Sequence, residues 1–206
     1  MNMTFELAQI VEIFALGGPV VSLLVAVSVV TLALILYKLW QFRAARVGRH
    51  TRISEALELI NDQNWDEART VLTGSRSYLA PVVQQAVQGT GSDAAKALAE
   101  AQSEVLFSRL EGGFRMMDTV AQLAPLLGLF GTVLGMIEAF QALQGAGSQV
   151  DPSILAGGIW VALMTTAVGL AVAMPTSMAL AWFEARMDRD RTFAQDALAA
   201  VYAYKS

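Results

Sequence analysis

Residues 152–183 read PSILAGGIWVALMTTAVGLAVAMPTSMALAWF, 32 positions between Asp151 and Glu184 without an Asp, Glu, Lys or Arg. A helix rising 1.5 Å per residue needs roughly 20 mainly apolar residues to cross about 30 Å of hydrocarbon, and it satisfies its own backbone there. Two further charge-free runs precede it, 25 residues between Glu12 and Lys38 and 19 between Asp118 and Glu138. The whole chain of 206 residues is 55% hydrophobic and 16% charged, well below the roughly 25% charge of an ordinary soluble domain. Three helices hydrophobic on all sides do not fit inside a soluble core of this size, so each run is read as a transmembrane helix.

The cations set the orientation. Ten of the 14 Lys and Arg lie from Lys38 to Arg115 and four from Arg186 to Lys205, while residues 1–37 and 116–185 have none. The positive-inside rule therefore places the N-terminus and the connection before the third span outside, and the C-terminus in the cytoplasm. The expected organisation is an outer interfacial amphipathic helix at 1–16, carrying Leu7, Ile10, Val11 and Phe14 on one face, and a first span at 17–40. A cytoplasmic helical region follows at 41–115, then a second span at 116–140, an outer loop at 141–153, a third span at 154–183 and a cytoplasmic helix at 184–206. A cleavable signal peptide is disfavoured because Glu6 and Glu12 stand where such a leader carries positive charge.

Other classes fall to composition. With no cysteine and one histidine, His50, the chain has no disulfide framework, no Cys nucleophile and no Cys/His metal site, so no metal, cofactor or enzyme activity is expected. A net charge of −4 argues against nucleic-acid binding. No strand-like alternation or long-period repeat occurs, and the fold class is all-α: an integral membrane protein with three transmembrane helices and long helices extending into the cytoplasm.

In the cytoplasmic region Ile53, Ala56, Leu57 and Ile60 recur at helical spacing. Trp65, Ala68 and Leu72 mark a second helix and Leu79 to Val87 a third. The loop from Gly89 ends in Asp93 as a candidate N-cap. From there no proline occurs before Pro125, and Gly112-Gly113 is expected to kink the helix without ending it. One helix of about 75 Å from Asp93 to Leu143 is the expectation.

Within the spans the small and polar residues show which faces meet protein, because apolar side chains carry no such signal in lipid. Gly128, Thr132, Gly135 and Ala139 form one stripe and Gly131, Gly135 and Ala139 another. In the third span Ala162, Thr166, Gly169 and Ala173 run beside Thr165, Gly169, Ala173 and Ser177. Thr132, Thr165 and Thr166 have two readings, local bonding to a carbonyl one turn back or a polar lining. None of the three charge-free runs holds a carboxylate, a basic residue or a histidine. A proton path would need its acid from a partner. Glu138 is the nearest carboxylate, at the outer end of the second span.

The run Leu123-Ala124-Pro125-Leu126-Leu127-Gly128-Leu129-Phe130-Gly131-Thr132-Val133-Leu134-Gly135-Met136-Ile137, followed by Glu138-Ala139-Phe140, resembles the ExbB/TolQ/MotA family of proton-channel subunits. Gly17-Gly18-Pro19-Val20 and the stretch from Gly157-Gly158-Ile159 through Thr165 and Thr166 to Pro175 resemble the same family's first and third spans. Three spans with an outside start resemble the ExbB and TolQ branches, whereas MotA subunits have four. The resemblance implies a homo-oligomeric ring, a pentamer, around the single spans of an ExbD- or TolR-like partner that supplies an intramembrane Asp. It implies pore-lining roles for Thr132 and Thr166 and a family match for Pro125.

Pro125, Gly128, Gly131, Gly135, Gly169 and Pro175 are expected to pack or kink the helices, and Thr165 to join the lining. In the ExbB branch the resemblance implies that the bacterial inner-membrane complex uses the proton-motive force to drive a TonB-like protein in outer-membrane transport. In the TolQ branch the output is envelope maintenance. A non-conducting membrane scaffold is the rival from another class. Val161 stands where many members carry a glutamate.

Overall fold

The computed structural model describes residues 18–145 and 152–204. The interfacial helix expected at 1–16 and residues 146–151 of the expected outer loop lie outside those residues. Among the described residues seven helices follow one another: α1 (Gly18–Ala45), α2 (Thr51–Asn61), α3 (Trp65–Thr73), α4 (Ala80–Gln88), α5 (Asp93–Glu111), α6 (Phe114–Gly145) and α7 (Pro152–Ala203). Among the described residues there is no strand. Three of these described helices, α1, α6 and α7, are long and apolar enough to cross a membrane. The all-α membrane architecture is therefore present.

The chain forms two compact units, Met1–Ile35 with Phe114–Leu180 and Leu36–Gly113 with Ala181–Ser206. In the first, Leu24 of α1, Ala124 of α6 and Val172 and Ala173 of α7 make a buried cluster, flanked by Val20, Val120, Leu127 and Val168. Leu126, Leu129, Phe130, Leu163 and Met174 are all more than half exposed. A seam of small residues inside and large apolar side chains outside suits a solvent of hydrocarbon.

In the second unit, α2 turns Ile53, Ala56 and Ile60 inward and α3 turns Ala68 and Leu72. The break between them centres on Gln63, at φ +61°. Asp66 and Glu67 occupy the first turn of α3, where carboxylates favour the helix dipole. Pro81 sits at the start of α4, where its missing N–H costs nothing. Ser92, rather than Asp93, caps α5: its Oγ accepts from Ala95 N at 3.3 Å, and Asp93 falls in the first turn.

The structure corrects the expected single helix from Asp93 to Leu143. α5 ends at Glu111, Gly112 is extended at φ −50°, ψ 126°, and Gly113 takes φ +94° before α6 begins at Phe114. Two adjacent glycines supply a left-handed position that other residues resist, so the pair breaks the helix instead of bending it. α6 reaches Gly145 and α7 starts at Pro152, so helix enters both ends of the segment expected as the outer loop at 141–153.

Candidate functional site

α6 and α7 approach through glycine. A Cβ placed on Gly128 would lie 2.9 Å from Thr165 O and 3.0 Å from Thr166 Cα; one on Gly169 would lie 2.5 Å from Ala124 O and 3.1 Å from Gly128 Cα. At Gly131 it would meet Thr165 Cβ at 2.8 Å, and at Gly135 it would reach Ala162 Cβ at an ordinary 3.4 Å. Gly128, Gly131 and Gly135 are buried with Ala124 and Ala139. The contact is therefore between main chains, the geometry that small residues at four-residue spacing permit.

Thr165 is 2% exposed within this seam. Its Oγ1 lies 2.7 Å from Ala162 O, one turn back, and 3.1 Å from Gly128 O on the opposite helix. The hydroxyl donates to these two acceptors in a three-centre arrangement, so its polarity is met entirely inside the helix pair. Of the two readings expected for this threonine, its hydroxyl makes the local bond to the carbonyl one turn back and adds one across the seam. Thr166 and Thr132 are half-buried. Thr166 Oγ1 donates to the same Gly128 O at 3.3 Å, and Thr132 Oγ1 donates to Leu129 O at 2.6 Å. Both hydroxyls keep their acceptor lone pairs on a partly open face.

The structure thus brings Gly128, Gly131, Gly135, Gly169, Thr165 and Thr166 into one seam and leaves the other expected residues at its margins. Pro125 is half-buried and Pro175 exposed, each inside a continuing helix. Neither has an N–H for the carbonyl four residues back, Ala121 and Ala171 respectively. Glu138 is exposed. Thr176, which the stripes did not include, is 2% exposed and donates to Val172 O at 2.7 Å.

The second unit holds a polar cluster that periodicity did not mark. His50 is buried, with Nδ1 2.8 Å from Ser77 Oγ and Nε2 2.9 Å from Asp190 Oδ2, and its ring stacks on Phe193 at 4.6 Å. The same Asp190 oxygen accepts from Gly48 N at 3.0 Å and from the Tyr78 hydroxyl at 3.0 Å. Burial alone would raise the Asp190 carboxyl, but the hydrogen bond and charge of His50, with the Gly48 and Tyr78 donors, hold it below the usual carboxylate range. Burial and the neighbouring Asp190 charge push the Tyr78 hydroxyl up, so it remains a donor.

Two longer-range ties join α5 to its neighbours in this unit. Lys38 is 2% exposed, and its Nζ donates to Leu110 O at 2.9 Å and Gln41 Oε1 at 2.7 Å. The cation thereby meets a carbonyl in the last turn of α5, where positive charge is favoured. Arg191 reaches Glu111 at 3.0 Å and Glu104 at 3.3 Å, with its guanidinium 5.1 Å from the Phe107 ring centre. The lone histidine was the only sequence signal for the first cluster. Its partner lies 140 positions away.

Relatives carry the same names that the resemblance suggested. Over 67 residues the chain is 42% identical to the biopolymer transport protein exbB1 of Vibrio cholerae, covering 32% of this chain and 29% of that protein. It is 47% identical over 70 residues to the Tol-Pal system protein TolQ of Haemophilus influenzae, 34% of this chain and 30% of the relative. A longer alignment, 26% identical, covers 82% of the chain and 74% of the biopolymer transport protein ExbB of Xanthomonas campestris. The chain thus spans less than a third of the Vibrio and Haemophilus proteins' own lengths. Residues 71–195, more than half the chain and inclusive of the whole α6–α7 seam, match the family described as the MotA/TolQ/ExbB proton channel family. On this match and the three apolar helices, the chain belongs to the MotA/TolQ/ExbB proton channel family.

Proposed function

We propose that this chain is the ring-forming subunit of an inner-membrane proton channel of the ExbB type, which uses the proton-motive force to energise TonB-dependent outer-membrane transport. The observation that carries this reading is the α6–α7 seam. Two half-buried hydroxyls, Thr132 and Thr166, sit within the charge-free runs 119–137 and 152–183, neither of which contains an ionisable side chain. A path with hydroxyls but no carrier needs an acid from elsewhere, and proton relays through membranes run on such groups. An ExbD-like single-span partner with an intramembrane Asp would supply it, enclosed by a pentameric ring of this chain. Protonation would relieve the aspartate's charge in the apolar pore, and the threonines would offer successive hydrogen-bond positions. The membrane potential contributes about 2.3 kcal/mol per charge per 100 mV to such a step.

In this arrangement the N-terminus is outside and the C-terminus cytoplasmic, following the cation distribution. Glu138 marks the outer end of the second span. Pro125 and Pro175 free carbonyls at their helices' inner turns, while Gly128, Gly131, Gly135 and Gly169 fix the helix pair. Val161 in place of an acid leaves the partner as the sole source of a midplane carboxylate.

A TolQ-type role in envelope maintenance is the second reading, favoured by the 47% identity to a TolQ protein over 70 residues. The test is proton flux in vesicles under an imposed potential, with the chain alone and with an ExbD-like or a TolR-like partner. Flux that requires a partner carrying its aspartate supports the channel. Equal, negligible flux in every arm leaves the non-conducting scaffold. The branch follows from which partner restores flux and from whether the chain supports TonB-dependent uptake or Tol-dependent envelope integrity.

A further inference from the structure

Two cavities in the second unit lie side by side and share Arg46 and Arg49. One, of about 620 Å³, is lined by Arg46, Arg49, Arg52 and Arg76 together with Thr51, Gly74, Ser75 and Ser77. The other, of about 470 Å³, adds Arg43 and Arg186 to an apolar wall of Leu39, Phe42 and Trp182. Neither contains an acidic residue. The local main chain is shaped to hold the cations there. Arg46 takes φ +56° and Gly48 φ +71°, a Cβ on Gly48 would run into the Arg186 guanidinium, and Arg186 Nη2 donates to Val47 O at 3.2 Å. Gly74 leaves room in the same way for the guanidinium of Arg52.

Arg46, Arg49, Arg52 and Arg76 are all exposed, and among the described residues none forms an ion pair with a carboxylate. Elsewhere in the same unit Arg69 and Arg191 both do so. Four unneutralised guanidinium groups around one cavity repel one another, and an anion relieves that repulsion. Guanidinium forks suit phosphate in particular.

The apolar wall narrows the class of anion. Leu39 and Phe42 belong to α1 directly after the first charge-free run, and Trp182, half exposed, stands at the end of the third. Tryptophan at such a position favours the headgroup level of a bilayer, and basic pockets beside membrane helices suit acidic headgroups. A free phosphate would use the arginines and leave the wall of Leu39, Phe42 and Trp182 without purpose.

We infer that this double cavity binds an acidic phospholipid, its phosphate between Arg46 and Arg49, further headgroup oxygens toward Arg52 and Arg76, and its glycerol and upper acyl carbons along Leu39, Phe42 and Trp182. The shared arginines are the phosphate site, and the two cavities receive the two ends of one amphipathic ligand. The site fixes one lipid to each subunit where the first span ends, a contact independent of the α6–α7 seam.

The full chain, purified in neutral detergent, tests this by native mass spectrometry and thermal denaturation with phosphatidylglycerol, phosphatidylcholine or inorganic phosphate as the probe. Retained phosphatidylglycerol with a higher melting temperature is expected, and phosphatidylcholine should give neither. Replacing Arg46 and Arg49 with Gln should weaken the preference roughly thirty-fold. Arg49→Gln alone should weaken it about five-fold and serves if the double variant does not fold. Arg189→Gln, outside both cavities, should bind as the parent does. Stabilisation by inorganic phosphate equal to that by phosphatidylglycerol, equal retention of the two lipids, or undiminished binding in folded Arg→Gln variants would each overturn the assignment.

Discussion

Thr165 on α7 lies against the main chain of α6, its Oγ1 3.1 Å from Gly128 O, and the absence of a side chain at Gly128 is what makes that approach possible. Any Cβ at Gly128 would meet Thr165 O at 2.9 Å, and that atom is backbone and cannot swing aside. Gly128→Val should therefore force the helices apart and cost about 1–3 kcal/mol, the range for overpacking a tight contact. Gly157→Ala, where nothing lies within 4 Å of the added carbon, should leave stability unchanged. Thermal denaturation of both variants in the same detergent checks the contrast.

Removing the Thr165 hydroxyl is a milder change. Thr165→Val keeps the shape that fills the space beside Gly131 but loses the bond across the seam, and a membrane hydrogen bond of this kind is worth about 0.6 kcal/mol. The variant should melt slightly below the parent and retain proton flux, since Thr165 is enclosed by its own chain. Flux lost without a loss of stability would assign Thr165 to the proton path.

The Asp190 cluster should make the second unit acid-sensitive. Because the folded carboxyl lies below its ordinary value near 3.9, its contribution is present above that pH and is lost as pH falls through the lower folded value. The melting temperature should fall more steeply below about pH 4 in the parent than in Asp190→Asn. At neutral pH Asp190→Asn should itself cost about 3 kcal/mol, since it breaks a buried charged network around His50. Circular-dichroism melts of both proteins from pH 7 to pH 3 provide the comparison.

Lys38→Met tests the tie between α1 and α5. It removes the cation whose Nζ donates to Leu110 O and Gln41 Oε1 while keeping much of the buried stem. The loss of a charged bond at a helix C-terminus predicts destabilisation of about 1–2 kcal/mol, with amide exchange faster at the end of α5 and little altered in α2.

The membrane helices were legible because lipid imposes a simple rule: a span lacks charge for roughly 20 residues. Gly128, Gly131, Gly135 and Gly169 were also legible, since close packing in lipid selects small residues at helical spacing. What spacing could not resolve was which of two adjacent threonines faces inward. Thr165 and Thr166 are one position, or about 100°, apart on a helix of 3.6 residues per turn, and stripes drawn through either looked equally regular. The sequence marks Gly112-Gly113 as a kink, but whether a glycine pair bends or ends a helix depends on whether the chain uses its left-handed conformation. The His50–Asp190 pair joins residues 140 positions apart, and only the folded chain shows it.

The most direct test of the central claim is proton flux through the partner-containing complex when Thr132 and Thr166 are both replaced by valine. The change preserves shape and removes the two half-buried hydroxyls. The account predicts that the complex still assembles at normal levels while partner-dependent flux under an imposed potential falls at least ten-fold, or about 1.4 kcal/mol in the barrier. Undiminished flux in an assembled double variant would contradict it.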